Sequence, residues 1–158
     1  MAKAVIVIAA ALIAAPALAH GPKPHAEIKH EGHGAEVGEP GDPKQVVRTF
    51  QIGMGDDMKF RPAVVTVRKG ETIKFVVRNS GKLKHEMVIG TRAELEAHAK
   101  EMEKNPDMEH DDPNAVHLDA GKTGDLIWKF TKAGEVPFAC LIPGHMQGGM
   151  VGKVIVNP

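Results

Sequence analysis

The sequence has no tyrosine, one tryptophan and one cysteine, and aromatic residues make up only 4% of its 158 positions. A core so poor in rings has to be filled by Val, Ile, Leu, Met and a few Phe, a composition suited to β-branched strands. Neither sign of charge is in excess, with Lys plus Arg and Asp plus Glu at 20 each. That removes the basic surface a nucleic-acid partner requires. A glycine-rich phosphate loop, a G-x-S-x-G elbow and an H-E-x-x-H helix are all absent. Gly53-Met54-Gly55 lacks the later glycine of a dinucleotide fingerprint. After the N-terminus no apolar run approaches the ~20 residues that span a bilayer. The length suits one domain with a tail.

The chain opens with Lys3, an unbroken apolar run from Ala4 to Ala15, and Ala17-Leu18-Ala19, which has the small-x-small form of a cleavage site. Residues 1–19 are therefore expected to be a secretory signal peptide cleaved after Ala19. Cleavage takes only Lys3 from the 20 basic residues, leaving 19 against 20 acidic ones. No membrane association is expected afterwards. Residues 20–44 are rich in His, Gly, Pro, Glu and Lys, and such a segment buries too little apolar surface to offset its ordering entropy. It reads as a flexible tail carrying His20, His25, His30 and His33, which either bind metal loosely or are simply solvated. Export also makes Cys140 conspicuous, because a lone exported thiol cannot form an internal disulfide. It is a buried inert side chain, a nucleophile, or a metal-protected thiolate.

Residues 45–158 form the expected domain. Short Val-, Ile-, Phe- and Thr-rich segments predict strands at Val46–Ile52, Ala63–Arg68, Thr72–Arg78, Lys84–Ile89, Ala115–Leu118, Asp125–Thr131, Val136–Leu141 and Val151–Val156. In Thr72–Arg78 the residues Ile73, Phe75 and Val77 share one face. Short strands with frequent turn signals predict an all-β sandwich. One segment breaks the pattern. Thr91 and Glu94 form a capping box, Leu95, Ala99 and Met102 follow at helical spacing, and Asn105-Pro106 ends the helix. The acidic stretch Asp107–Asn114 is expected on the surface.

The stretch from Phe138 to Met150 reads Cys-x4-His-x4-Met, with Pro143-Gly144 and Gly148-Gly149 as turns. A thiolate, an imidazole and a thioether can thus converge at Cys140, His145 and Met150. Soft sulfur with imidazole favours copper or zinc, and a trigonal His2Cys set with a long axial thioether marks a type 1 copper site. The second imidazole should come from another strand, and His85 fits. His117 is the strongest rival, whereas His98 lies on the helix and His110 on the acidic loop. Met146 is the alternative axial sulfur, but it directly follows His145 and should point elsewhere.

From Val46 to Val156 the strand bearing His85 and the Cys140–Met150 loop resemble the cupredoxins, the small copper proteins that include plastocyanin, azurin and auracyanin. Met54–Pro62, His85-Glu86-Met87-Val88, the Met108–Asn114 insert and the His-rich tail are similar to the periplasmic CopI-type cupredoxins of bacterial copper tolerance. The resemblance implies an eight-stranded Greek-key sandwich with one inserted short helix, and a single copper centre, Cu(I)/Cu(II), held by His85, Cys140, His145 and Met150. It implies a periplasmic location and a role in copper tolerance, with a dedicated electron carrier docking transiently on redox proteins as the alternative. Such a chain is expected to be a monomer and not an enzyme. Met54, Met58, Met102, Met108 and His110 are surplus soft and borderline ligands that, with the tail, would suit additional weak copper, unless Met58 and Met102 simply pack. In one place the pattern departs. Azurin-like proteins carry Asn after the first ligand His, and here Glu86 stands there. An ionised carboxylate has no donor, so the two ligand loops must be tied in another way.

Overall fold

The computed structural model describes Gly34, residues 36–106 and residues 111–158. Ten strands run in order: β1 (Glu39–Pro40), β2 (Val46–Gly55), β3 (Lys59–Arg61), β4 (Val64–Arg68), β5 (Thr72–Asn79), β6 (His85–Ile89), β7 (Ala115–Leu118), β8 (Thr123–Lys129), β9 (Gly134–Ala139) and β10 (Val151–Asn157), with helix α1 (Arg92–Lys104) between β6 and β7. They form two five-stranded sheets, β1-β8-β5-β2-β3 and β4-β10-β9-β6-β7. All eight expected strands are present, and β1 and β3 are short additions. β2 pairs with β5 and β4 with β10 in parallel, so the chain repeatedly crosses between the sheets.

Alternation places the core. Ile73, Phe75 and Val77 of β5 are wholly buried, as are Phe130, Phe138, Met150 and Val154, and these pack between the two sheets. The scarcity of rings is met by a few pairs: Phe60 lies edge-on to Phe138, and Phe75 edge-on to Phe130.

Helix α1 starts where the capping box places it. The Thr91 side chain accepts from the Glu94 amide while the Glu94 carboxylate accepts from the Thr91 amide. Its apolar stripe of Leu95, Ala99 and Met102 packs with Val88, Ala139 and Leu141 on the outer face of β6 and β9. The helix thereby covers the part of the sheet that leads into the Cys140–Met150 loop.

Two expectations need correcting. The segment 20–44 is not tail throughout. Its first part lies outside the described residues, but Glu39–Pro40 pairs with Lys129 and Trp128 of β8, and Val37 is 8% exposed. The approach is close: a Cβ on Gly38 would stand 2.3 Å from both the Lys129 carbonyl oxygen and the Trp128 Nε1, so only glycine fits there. The stretch 107–114 is likewise not all surface. Residues 107–110 lie outside the described residues, yet Asp112 and Asn114 are buried, and the Asn114 side-chain amide donates to the Ile89 carbonyl at 2.6 Å.

Candidate metal centre

Three chain segments meet at one end of the sandwich. β6 begins at His85, β9 ends just before Cys140, and β10 begins just after Met150. β9 lies antiparallel to both β6 and β10, which puts all these points at the same end. The intervening loop is a series of tight turns. The His145 amide donates to the Ile142 carbonyl and the Met150 amide to the His145 carbonyl, while the Cys140 amide reaches the Met150 carbonyl at 3.1 Å. Gly144 and Gly149 take φ of +87° and +91°, conformations that side chains disfavour.

The ligand atoms of His85, Cys140 and His145 lie within 4.8 Å of one another. Among the described residues no other three His, Cys, Asp or Glu side chains are grouped in this way. Cys140 Sγ is 3.3 Å from His145 Nδ1, and the two imidazole centroids are 4.9 Å apart. Met150 is fully buried in the same core cluster as Cys140. Met146 packs instead with the helix cluster of Leu95, Ala99 and Met102, as its position after His145 suggested.

His117 does not join the cluster. It sits opposite Glu86 across β6 and β7, with its Nδ1 2.8 Å from Glu86 Oε2. His98 has the Asp112 carboxylate 4.0 Å away, and His110 lies outside the described residues. Met54 and Met102 are core residues, and Met58 is partly buried against the core. Met54 and Met102 are therefore not spare surface ligands, and Met108 and the tail histidines are outside the described residues. Little apolar surface is accessible at this end of the molecule. Leu141 and Met87 are buried, leaving Ile142, Pro143 and Met146 around the partly exposed His145.

Electrostatics suit a metal. Burial pushes the Cys140 thiol up to about 12, and the Glu86 charge adds to this against the opposing Glu86 and Ile142 amides that reach the sulfur. In the metal-free chain the side chain is therefore a protonated thiol, not a nucleophile. Burial, reinforced by His85, lowers the His145 pKa and leaves its imidazole neutral and able to ligate. His85 is fully buried, and its Nδ1 has no hydrogen-bond partner. A buried imidazole with an unpartnered nitrogen, grouped with a thiol and a second imidazole, fits a metal ligand.

Sequence reasoning left open how the loops are tied in the absence of Asn after His85. Glu86 does it by accepting: its Oε1 takes the Leu141 amide at 2.8 Å and its Oε2 faces His117. Burial alone would raise the Glu86 pKa, but the His117 ring and the Leu141 amide outweigh it and lower the carboxyl below its usual value. Asp56 was missed altogether. Its Oδ1 lies 3.2 Å from His85 Nε2, and its carboxylate accepts from the amides of Lys82 and Leu83. The Lys82 amide, then Leu83, hold its carboxyl below the usual carboxylate range. Asn79 completes this framework, donating to the carbonyls of Leu83, just before β6, and of Leu118, which pairs with His85 on β7.

Comparison with known proteins agrees with this geometry. The sequence profile of copper binding proteins of the plastocyanin/azurin family matches residues 47–157. The copper-resistant cuproprotein CopI of Rubrivivax gelatinosus is 49% identical over 152 residues, covering 94% of this chain and 92% of the relative. That of Pseudomonas aeruginosa is 37% identical, covering 80% and 85%. Among solved structures, a dithionite-reduced auracyanin from Roseiflexus castenholzii superposes with a TM-score of 0.61 at 25% identity, covering 72% of this chain and 99% of that one. With a profile that spans most of the domain and relatives 49% and 37% identical over most of its length, this chain belongs to the plastocyanin/azurin family of copper-binding proteins.

Proposed function

We propose that this chain is an exported, periplasmic type 1 copper protein of copper tolerance, with His85, Cys140, His145 and Met150 as the four ligands. The observation that carries the reading is the convergence of two imidazoles and a thiol within 4.8 Å, with the buried His85 Nδ1 left unpartnered. The signal-like residues 1–19 and the copper-resistance names of the relatives support the location and the role. When bound, copper supplies one-electron chemistry between its two oxidation states. The residues do the rest. Cys140 gives up its proton to become a thiolate, His85 and His145 present neutral nitrogens, and the hydrogen bonds to Asp56, Glu86 and Asn79 hold those atoms in place with little rearrangement. A four-residue ligand set leaves no position for a substrate, so the chain acts as a binding protein rather than an enzyme. It acts as a monomer.

The second reading, an electron carrier, draws on the partly exposed His145 with Ile142, Pro143 and Met146 around it, a small apolar contact suited to brief docking with a redox protein. Anaerobic titration with Cu(I) separates the two. Binding of more than one equivalent supports tolerance by sequestration, with the excess held by the His-rich tail. One equivalent with fast exchange to a cytochrome supports the carrier.

The Met150 thioether has its own test. Met150→Gln should keep copper and the thiolate band but lower the potential, because a harder oxygen favours Cu(II). A tenfold change in the Cu(II)/Cu(I) balance is about 59 mV, and a fall of at least that size is expected. A potential and spectrum that do not move would remove Met150 from the ligand set.

A further inference from the structure

The turn joining β2 and β3 lies against the centre from outside. Asp56 within it reaches His85, and the same carboxylate takes two amides from the Lys82–Leu83 segment that leads into β6. On its far side the turn meets the ligand loop. A Cβ on Gly148 would stand 3.4 Å from Met58 Cγ, and one on Gly149 would stand 3.1 Å from Lys59 Nζ. The turn is thus fixed to both halves of the site, and its acidic side chain reaches the fully buried imidazole of His85.

We propose that Asp56 is the positioning residue of His85: its carboxylate accepts the Nε2 proton, makes Nδ1 the nitrogen that faces the metal, and favours Cu(II) over Cu(I). The inference rests on the ligand assignment above and adds a residue to it. A His ring can present either nitrogen, and the hydrogen bond made by one decides which is free. Here Nε2 is taken and Nδ1 is the orphan. An anionic acceptor also makes the opposite nitrogen a stronger donor, and it interacts more favourably with the more highly charged oxidation state. Glu86 cannot substitute, because its two oxygens are occupied by the Leu141 amide and His117.

The test compares the mature wild-type protein with Asp56→Asn, which keeps an oxygen for the Lys82 and Leu83 amides but loses the charge. Loaded with copper, the variant should retain the thiolate-to-copper band. Its Cu(II) affinity, measured by chelator competition, should fall roughly 10–100-fold, the usual cost of losing such an outer partner, while Cu(I) affinity changes much less. The potential should then rise by about 59 mV for each tenfold of that difference. Unchanged affinities, or equal losses for both oxidation states, would overturn the role and leave Asp56 as a loop anchor only. A second measurement does not depend on the variant. Nitrogen NMR of the wild-type Cu(I) protein should show His85 protonated at Nε2 and slow to exchange, and protonation at Nδ1 would overturn the proposal. A wild-type copper protein with no thiolate band would defeat the ligand assignment itself, a failure distinct from Asp56→Asn behaving as wild type.

Discussion

Replacing Cys140 with Ser should abolish the intense visible absorption of the copper-loaded protein altogether, since that band needs a thiolate bonded to the metal. Copper affinity should fall by more than the roughly 10–100-fold that loss of an outer partner costs. The fold should survive, because the buried hydroxyl keeps the Glu86 and Ile142 amides that the sulfur has now. Circular dichroism of the metal-free variant checks that point. An unchanged visible spectrum would refute the ligand assignment. The same residue fixes a proton balance. With the thiol at about 12 in the metal-free chain, burial being the main cause, each copper taken up near neutral pH should release about one proton from Cys140. Titration calorimetry in buffers of different ionisation enthalpy measures that release. In the Ser variant it should disappear.

The second large effect is expected at Glu86. Glu86→Ala leaves the Leu141 amide without its acceptor and His117 without its carboxylate, at a buried position between two strands. Removing one partner of a buried pair typically costs 3–5 kcal/mol, and His117, 27% exposed, can regain water, so a loss of about 3 kcal/mol is expected. In a domain of this size that is roughly 10 °C in thermal midpoint. The copper loop should loosen with it, because Leu141 directly follows Cys140. Acidity adds a sign. The folded Glu86 carboxyl titrates below the ordinary glutamate value of 4.5, so its contribution to metal-free stability is present above pH 4.5 and is lost as pH falls through the lower folded value. Glu86→Gln should flatten that part of the acid profile in chemical denaturation. A Gln variant that keeps the wild-type slope would show that another group carries it.

Much of the scaffold was legible because its strands follow a simple rule. Where β-branched residues alternate with polar ones, as in Thr72–Asn79, a face must be buried and the register follows. β1 and β3 obey no such pattern. Glu39-Pro40 has no apolar side chain to bury, and it joins the sheet because Gly38 allows the backbone to lie against Trp128. Lys59-Phe60-Arg61 is three residues long and is held by pairing with β2. The ligand loop could be read because its residues are close in sequence and their spacing is set by turns. Asp56 could not, since 29 residues separate it from His85 and an acidic turn after Met54-Gly55 looks like an ordinary solvated hairpin end. Glu86 was visible as a departure, but its solution depended on a backbone amide 55 residues away. Asp112 and Asn114 show the same limit, because polar side chains are buried when a distant carbonyl, here that of Ile89, offers them a partner.

The indole under the N-terminal segment gives the molecule two separate optical handles. Trp128 pairs with Ile73 near the start of β5, whereas the far end of that strand, at Asn79, borders His85. With no tyrosine in the chain, ultraviolet emission comes from Trp128, so it reports on the pole where Gly34 and residues 36–41 are packed, while colour reports on the opposite pole. Loosening of the N-terminal clasp and disturbance of the metal loop can thus be followed in one sample as independent signals.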